Sequence, residues 1–149
     1  MKWRIAVAAL MLAGCGKQAD SPPSAPPTSY LIRKADLYRT EPGDICRTRD
    51  STFLQNLILR ISAALPPGST GFDFEDFDAR AVADDGKGME AVLRFRSSAP
   101  DGHAQMMYAA GPFDPATCTV GPMTGGIGTD PHAAAAMQTF SVDGPKATS

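Results

Sequence analysis

The chain is poor in the residues that most often build metal centres and redox sites. Of its 149 residues, three are cysteine, two are histidine and one is tryptophan. Its apolar run at residues 5–12 is too short to cross a bilayer as a helix, which takes about 20 apolar residues. These shortages argue against a helical membrane-spanning protein and leave few side chains for a zinc or histidine-based centre.

Catalytic sequence motifs are missing as well. The chain has no Gly-x-Ser-x-Gly, no His-Glu-x-x-His, no phosphate-binding Gly-x-x-x-x-Gly-Lys and no EF-hand loop. His103 follows a turn glycine and His132 follows Asp130-Pro131, so we expect both histidines in solvated loops. The sequence therefore predicts a protein that is not an enzyme and that holds no metal and no cofactor.

The first 15 residues have the layout of a bacterial export signal. A positively charged start is followed by the apolar run at 5–12 and by small residues before Cys15. The tetrapeptide Leu12-Ala13-Gly14-Cys15 resembles the bacterial lipobox at all four positions. This resemblance to bacterial lipoproteins implies a signal peptide at residues 1–14, a diacylglycerol on the Cys15 sulfur, cleavage before Cys15 and acylation of its new amino group.

The anchor implies a compartment, and the remaining charge limits the partners. By analogy with the sorting of Gram-negative lipoproteins, Gly16 rather than aspartate after the cysteine implies the periplasmic face of the outer membrane. Loss of Lys2 and Arg4 with the signal leaves 12 of the 14 basic residues against 16 acidic ones, a net charge of −4. Nucleic acid and anionic membrane surfaces are therefore not expected as partners.

The rest of the chain divides into a tether, one domain and a tail. Residues 15–29 carry the lipidated cysteine and a Pro- and Ser-rich segment that buries too little apolar surface to fold. We expect an extended spacer of up to about 40 Å. Residues 30–142 suffice for a single hydrophobic core, and residues 143–149 are predicted to be a disordered tail.

The clearest element of the domain is a helix over residues 51–65. Apolar side chains recur there at helical spacing, while polar ones fall opposite or at the flanks. Thr52 with Gln55 fits a capping box, and Pro66-Pro67-Gly68 ends the helix. An apolar stripe this wide predicts that the helix packs on a sheet.

Three to four strands are predicted after the helix. Residues 72–83 hold two alternations out of phase by one residue, which predicts a bulge or a break at Glu75-Asp76. Further strands are predicted at 89–96, 103–110 and 116–120. The predicted fold is α+β, one amphipathic helix on an antiparallel meander of three to four strands. This element order is similar to cystatin-like and nuclear-transport-factor-like rolls, and it implies nothing about activity.

Two cysteines remain once Cys15 is lipidated. In an oxidising compartment, an even pair in a small exported domain is most simply a disulfide, here between Cys46 and Cys118. It would close a loop of about 70 residues and contribute about 4 kcal/mol in the chain-entropy model. A reactive thiol and a metal site are the alternatives.

The candidate partner surface joins an acidic segment to a loop. The carboxylates at 73–78 alternate with phenylalanines, as on a solvated outer strand face, and Arg94 and Arg96 are placed to neutralise part of them. A surface for a basic protein and a calcium site are the alternatives. Residues 121–129 are predicted to form a mobile Gly- and Thr-rich loop, and residues 133–137 a short helix. The acidic side chains would steer a partner by their charge, and the loop would adapt its conformation to it. The predicted partner surface therefore consists of Asp73, Glu75, Asp76, Asp78, Thr124 and Ile127.

Two classes of function fit these features. The first is a periplasmic, membrane-anchored, non-catalytic protein-binding module of inhibitor, immunity or adaptor type, favoured by the anchor, the spacer and the missing catalytic motifs. The second is a structural accessory subunit of an envelope or secretion assembly. A small-molecule ligand is not expected, although small side chains such as Ala79 and Ala91 would leave room for one.

We predict that Cys15→Ser releases the protein from the membrane and leaves the domain folded. The reason is that the anchor is covalent lipid, which the spacer separates from the core. Membrane fractionation, with circular dichroism of the released protein, checks both parts. A variant that stays tightly membrane-bound would overturn the lipoprotein assignment.

Overall fold

The structure is a computed structural model that describes residues 29–82 and 88–143. The predicted signal peptide, Cys15 and the predicted tether up to residue 28 lie outside the described residues. Within them, no helix is long and apolar enough to span a membrane. The elements are one α-helix, α1 (Phe53–Ala64), two short 3-10 helices (Lys34–Asp36 and Ile45–Arg47) and seven strands: β1 (Ser29–Arg33), β2 (Thr70–Ala81), β3 (Met89–Ser98), β4 (Ala104–Asp114), β5 (Thr119–Val120), β6 (Thr124–Ile127) and β7 (Met137–Ser141).

The strands form one antiparallel sheet. Their order is β1-β2-β3-β4-β6-β7, and β5 pairs with β4. The α+β class and the central meander of β2, β3 and β4 are confirmed, but the predicted count of three to four strands was too low. β1, β6 and β7 have only four or five residues each, too few for an alternating pattern to stand out.

Helix α1 is shorter than predicted and packs on one face of the sheet. It begins at Phe53 and ends at Ala64, before the residue that precedes Pro66. Its buried residues, Leu54, Leu57 and Ile61, belong to the same core as the sheet. The predicted capping box does not form, because the Thr52 hydroxyl accepts a hydrogen bond from the Asn56 side chain (3.1 Å) and makes no bond to the helix backbone.

Aromatic rings form the centre of the core. The fully buried ring of Phe77 contacts Tyr30, Phe53 and Phe113 edge-on, with ring-centroid distances of 6.1, 5.5 and 5.2 Å. Edge-to-face contacts of this kind are favoured by the quadrupoles of the rings. The cluster joins β1, α1, β2 and β4 at one point.

A bulge in β2 sets the direction of the acidic side chains. The pairing of β2 with β3 shifts by one residue between Phe74 and Asp76, which leaves Glu75 as the extra residue. This confirms the predicted irregularity as a bulge. Because of it, Phe74 and Phe77 both lie in the core although they are three positions apart.

The predicted disulfide is present. Cys46 and Cys118 are 72 residues apart in sequence, and their Cα atoms are 5.4 Å apart. The bond joins the segment that leads into α1 to the turn between β4 and β5. Arg60 of α1 donates hydrogen bonds to the backbone carbonyls of Val120 (3.2 Å) and Gly121 (2.9 Å) at the same end of the sheet. Helix α1 and the segment that leads into it are therefore each attached to this end of the sheet.

Residues 121–137 differ from the prediction. The predicted mobile loop contains β6, which pairs with both β4 and β7, and the predicted helix at 133–137 is replaced by turns that lead into β7. Two glycines explain the difference. A side chain at Gly125 would overlap the ring of Phe140, and one at Gly126 would overlap the β7 backbone. The glycines therefore serve close packing between strands, not a loose loop.

The predicted tail begins with a residue that has partners. The Asp143 carboxylate accepts a hydrogen bond from the Met123 backbone N–H (3.0 Å) and pairs with Arg60 (3.4 Å). Residues 144–149 lie outside the described residues. The last described residue thus ties the chain back to α1.

We predict that Gly126→Ala destabilises the fold by about 1–3 kcal/mol. The new Cβ would overlap the carbonyl oxygen of Met137 and lie 2.7 Å from the Tyr108 hydroxyl, so β6 and β7 would have to move apart. Gly88→Ala is the matched control, because a Cβ there meets nothing within 4 Å. Urea unfolding gives the two free energies of unfolding, and equal values would contradict the close packing described.

Candidate functional site

The acidic residues of β2 lie on the outer face of the sheet and are paired with cations. The pairs are short, as in charge-assisted hydrogen bonds. Asp78 is only 8 % exposed, so little of its carboxylate is open to a partner. The four pairs are Asp73–Lys34 (2.5 Å), Glu75–Arg96 (3.0 Å), Asp76–Arg94 (2.6 Å) and Asp78–Arg80 (2.9 Å).

The structure does not bring the two parts of the predicted partner surface together. By strand register, Thr124 lies on the same outer face as Asp78, but β3 and β4 stand between them. Three strand spacings correspond to about 14 Å. Ile127 is in register with Met107 and Phe95 and therefore belongs to the opposite face, that of the core.

The segment from 128 to 136 crosses part of the outer face. Arg94 donates to the backbone carbonyl of Thr129 (2.6 Å), and His132 Nε2 lies 2.5 Å from a carboxylate oxygen of Glu90. The result is a cleft of about 660 Å³ that is lined by side chains of both signs. The charged or titratable residues of this cleft are Asp78, Arg80, Glu90, Arg94, Asp130 and His132.

His132 is exposed, as predicted for a loop residue, but it is not without a partner. Its hydrogen bond to Glu90, and then the charge of that carboxylate, raise the pKa of the imidazole above its ordinary value of 6.5. Desolvation acts against this shift, and the charge of Asp130, the smallest contribution, acts in the same direction as Glu90. Glu90 and His132 are 42 residues apart, so no local sequence signal could have paired them.

A second depression lies on the other side of the sheet, between α1 and the segment that precedes it. We call it the helix groove; it has a volume of about 500 Å³. Its floor is apolar, with the buried side chains of Ile32, Cys46 and Leu54. Tyr38 and Leu59, which also line it, are 84 % and 65 % exposed.

Three arginines are the only charged side chains that line the helix groove. Arg39, Arg47 and Arg49 are among its lining residues, and no Asp or Glu is. Arg39 and Arg47 reach Glu41 only at 3.7 Å each, and Arg39 reaches Asp36 at 3.5 Å. These separations are longer than those of a charge-assisted hydrogen bond.

The groove arginines therefore keep unused hydrogen-bonding capacity. Arg47 Nε is buried and has no hydrogen-bond partner among the described residues. Among the residues that the structure describes, Arg49 makes no ion pair with an acidic side chain. Arg39 and Arg49 are exposed, whereas the Arg47 side chain is only 13 % exposed, so the first two are the groove arginines that a partner can reach.

Side chains of the preceding segment hold the wall of the helix groove in place. The Asp44 carboxylate accepts hydrogen bonds from the Tyr30 hydroxyl (2.6 Å) and from the Cys46 backbone N–H (2.9 Å). The Ser51 hydroxyl donates to the Cys46 carbonyl (2.7 Å). Burial, and then the bond to Asp44, raise the pKa of Tyr30 far above its ordinary value, so this phenol remains a hydrogen-bond donor in the folded protein.

Known proteins give no guide to the role of either depression. Comparisons with protein-family models, with curated proteins and with solved structures found no significant match to this chain. Among the described residues, no group of three or more His, Cys, Asp or Glu side chains is placed to hold a metal ion. The sequence did not predict the helix groove because residues 34–51 have no periodic pattern. Arg47 and Arg49, close to Cys46, were the one local feature that could have indicated it.

We predict that Glu90→Gln lowers the pKa of His132 toward 6.5. With only two histidines in the chain, their NMR titration curves are simple to assign. Because the folded-state pKa is raised, the stabilising contact is at full strength below pH 6.5 and is lost as the pH rises through the raised value. Glu41→Gln, on the other side of the sheet, is the control and leaves the His132 pKa unchanged. Identical His132 curves in wild type and Glu90→Gln would refute the contact.

Proposed function

We propose that this chain is a lipoprotein of the periplasmic face of the outer membrane whose domain binds a protein partner without catalysing a reaction. The lipobox at Leu12-Ala13-Gly14-Cys15 supports the anchor. The helix groove supports the binding role, and it is the observation that carries the proposal. An apolar depression flanked by exposed Tyr38 and Leu59 is the kind of surface that marks protein interaction sites.

The composition of the groove matches the centre of protein interfaces. Such centres are enriched in Tyr and Arg and depleted in Lys, Asp and Glu, and Tyr and Arg dominate the measured binding energy. The lining has one tyrosine and three arginines and lacks Lys, Asp and Glu. The acidic residues of β2 are weaker candidates for the centre of an interface, because each would have to give up a short ion pair.

The alternative function is a structural accessory subunit of an envelope or secretion assembly. It is favoured by the sheet edges. β1 and β7 are the outermost strands, and no other described strand covers their free sides. An uncovered edge can accept a strand from another protein, as in β-strand addition.

A finer description of the fold also belongs to the proposal. The order β1, α1 and a meander, with α1 on one face, supports a roll of the cystatin-like or nuclear-transport-factor-like kind. Element order alone carries this likeness. It therefore adds nothing to the choice between functions.

Site-specific photo-crosslinking in the envelope of the host cell tests the function. A crosslinking residue replaces Tyr38 or Leu59 in the lipidated chain, and Val82, which is 70 % exposed and outside the groove lining, is the control position. We expect one discrete adduct of 1:1 stoichiometry from positions 38 and 59 and none from position 82.

The other outcomes separate the candidates. Adducts with several membrane proteins, together with crosslinks from β1 or β7, would assign the chain to a larger assembly. If positions 38 and 59 give no adduct while the protein is anchored and folded, the helix groove is not the binding surface.

A further inference from the structure

The helix groove combines apolar surface with positive charge, and the two together define what it can bind. We infer that its occupant is an acidic segment of a protein partner, with a large apolar side chain in the groove and carboxylates on the arginines. The inference rests on the proposed function, since it names the chemistry of the partner.

The charged side chains that line the groove are positive, whereas the protein as a whole is acidic. The chain without its signal has 12 basic and 16 acidic residues. The groove nevertheless presents Arg39, Arg47 and Arg49 with no acidic side chain in its lining. Asp36 and Glu41 lie beside the groove and pair with Arg39 and Arg47 at 3.5 to 3.7 Å, so an acidic segment would bind here by displacing these carboxylates.

Two of the three arginines, Arg39 and Arg49, are exposed and can reach a carboxylate of a partner. The Arg47 side chain is only 13 % exposed and donates to the Asp36 backbone carbonyl (3.4 Å). On the outer face, Arg94 and Arg96 hold carboxylates at 2.6 and 3.0 Å, whereas the ion pairs of Arg39 and Arg47 measure 3.5 to 3.7 Å. A guanidinium binds a carboxylate through two parallel hydrogen bonds when it is free to do so. Loosely paired arginines can thus exchange a distant intramolecular partner for a close intermolecular one.

The apolar lining of the groove combines a buried floor with exposed side chains. Ile32 and Leu54 form the floor, which one apolar side chain could cover. Tyr38 and Leu59 also line the groove and are 84 % and 65 % exposed, so a small ligand on the floor would cover only part of them. A polypeptide segment that continues across them buries this surface as well. This favours a protein segment over a single fatty acid or lipid headgroup.

The wall of the groove is constrained by covalent and hydrogen bonds of the protein itself. The disulfide at Cys46 and the hydrogen bonds of Asp44 and Ser51 fix its wall. A wall held in its bound conformation lowers the entropy lost on association. Short segments can therefore bind measurably without the rest of the partner.

The test selects ligands without assuming a partner. The lipidated full chain, in detergent micelles, is used to select binders from a random 12-residue peptide display library. We expect the selected peptides to be enriched in Asp and Glu and to carry at least one large apolar residue. Fluorescence anisotropy then measures the affinity of the selected peptides for the wild type and for variants.

Charge reversal identifies the site. Arg39→Glu and Arg49→Glu are each expected to weaken binding at least tenfold, and raising the salt from 50 to 300 mM should weaken binding to the wild type. Arg33→Glu is the matched control, since this exposed arginine lies on the outer face of β1 and does not line the groove. Circular dichroism confirms that each variant is folded. Arg39 and Arg49 are both exposed, so the fold is expected to tolerate their replacement.

Each contrary result overturns the inference in a distinct way. If the selected peptides are neutral or basic, and if Arg39→Glu and Arg49→Glu do not change their binding, the acidic partner is refuted. The proposed function then still stands. Arginine-dependent binding of phosphatidylglycerol vesicles, without any peptide binder, would assign the groove to an anionic lipid. If no peptide binds and positions 38 and 59 give no crosslinks, the inference and the proposed function fail together.

Discussion

The disulfide between Cys46 and Cys118 holds a segment that has no core of its own. Between β1 and α1 the chain forms only two 3-10 helices, whose one buried residue is Cys46. The bond fixes this segment to the β4–β5 turn, and the contacts of Asp44 depend on the position that results. The bond that fixes the wall of the helix groove forms where thiols are oxidised.

The sheet and the groove depend on different interactions. Around Phe77, the rings of Tyr30, Phe53 and Phe113 join the sheet to α1 through apolar contacts that do not require the disulfide. The groove wall instead depends on one covalent bond, a few hydrogen bonds and the packing of Leu37 and Cys46 on the core. Local opening is cheapest where few buried apolar contacts resist it. Reduction would therefore release the wall of the groove at a smaller cost than it would open the sheet.

Prediction from sequence succeeded where the pattern is long and local. Helix α1 and the strands β2, β3 and β4 are long enough for periodicity to reveal them, and the phase change at Glu75 correctly indicated a bulge. It failed at Gly125 and Gly126, because two adjacent glycines look the same in a loop and in a strand packed under Phe140. What distinguishes the two cases is a ring 15 residues further along the chain, which no local window includes.

The positions of charged side chains were predictable from local sequence patterns, but their ion-pair partners were not. Alternation correctly placed the carboxylates of β2 on the outer face, but their availability depends on partners set by register and by Lys34, far away in sequence. The arginines of the groove follow no sequence pattern, yet the exposed Arg39 has only ion pairs of 3.5 to 3.7 Å, longer than those of the outer face. Exposed ion pairs contribute little to stability, so evolution can leave them loose at little thermodynamic cost. In the proposed lipoprotein, the spacer would hold the groove close to the membrane and so raise the effective concentration of a partner that is also held there.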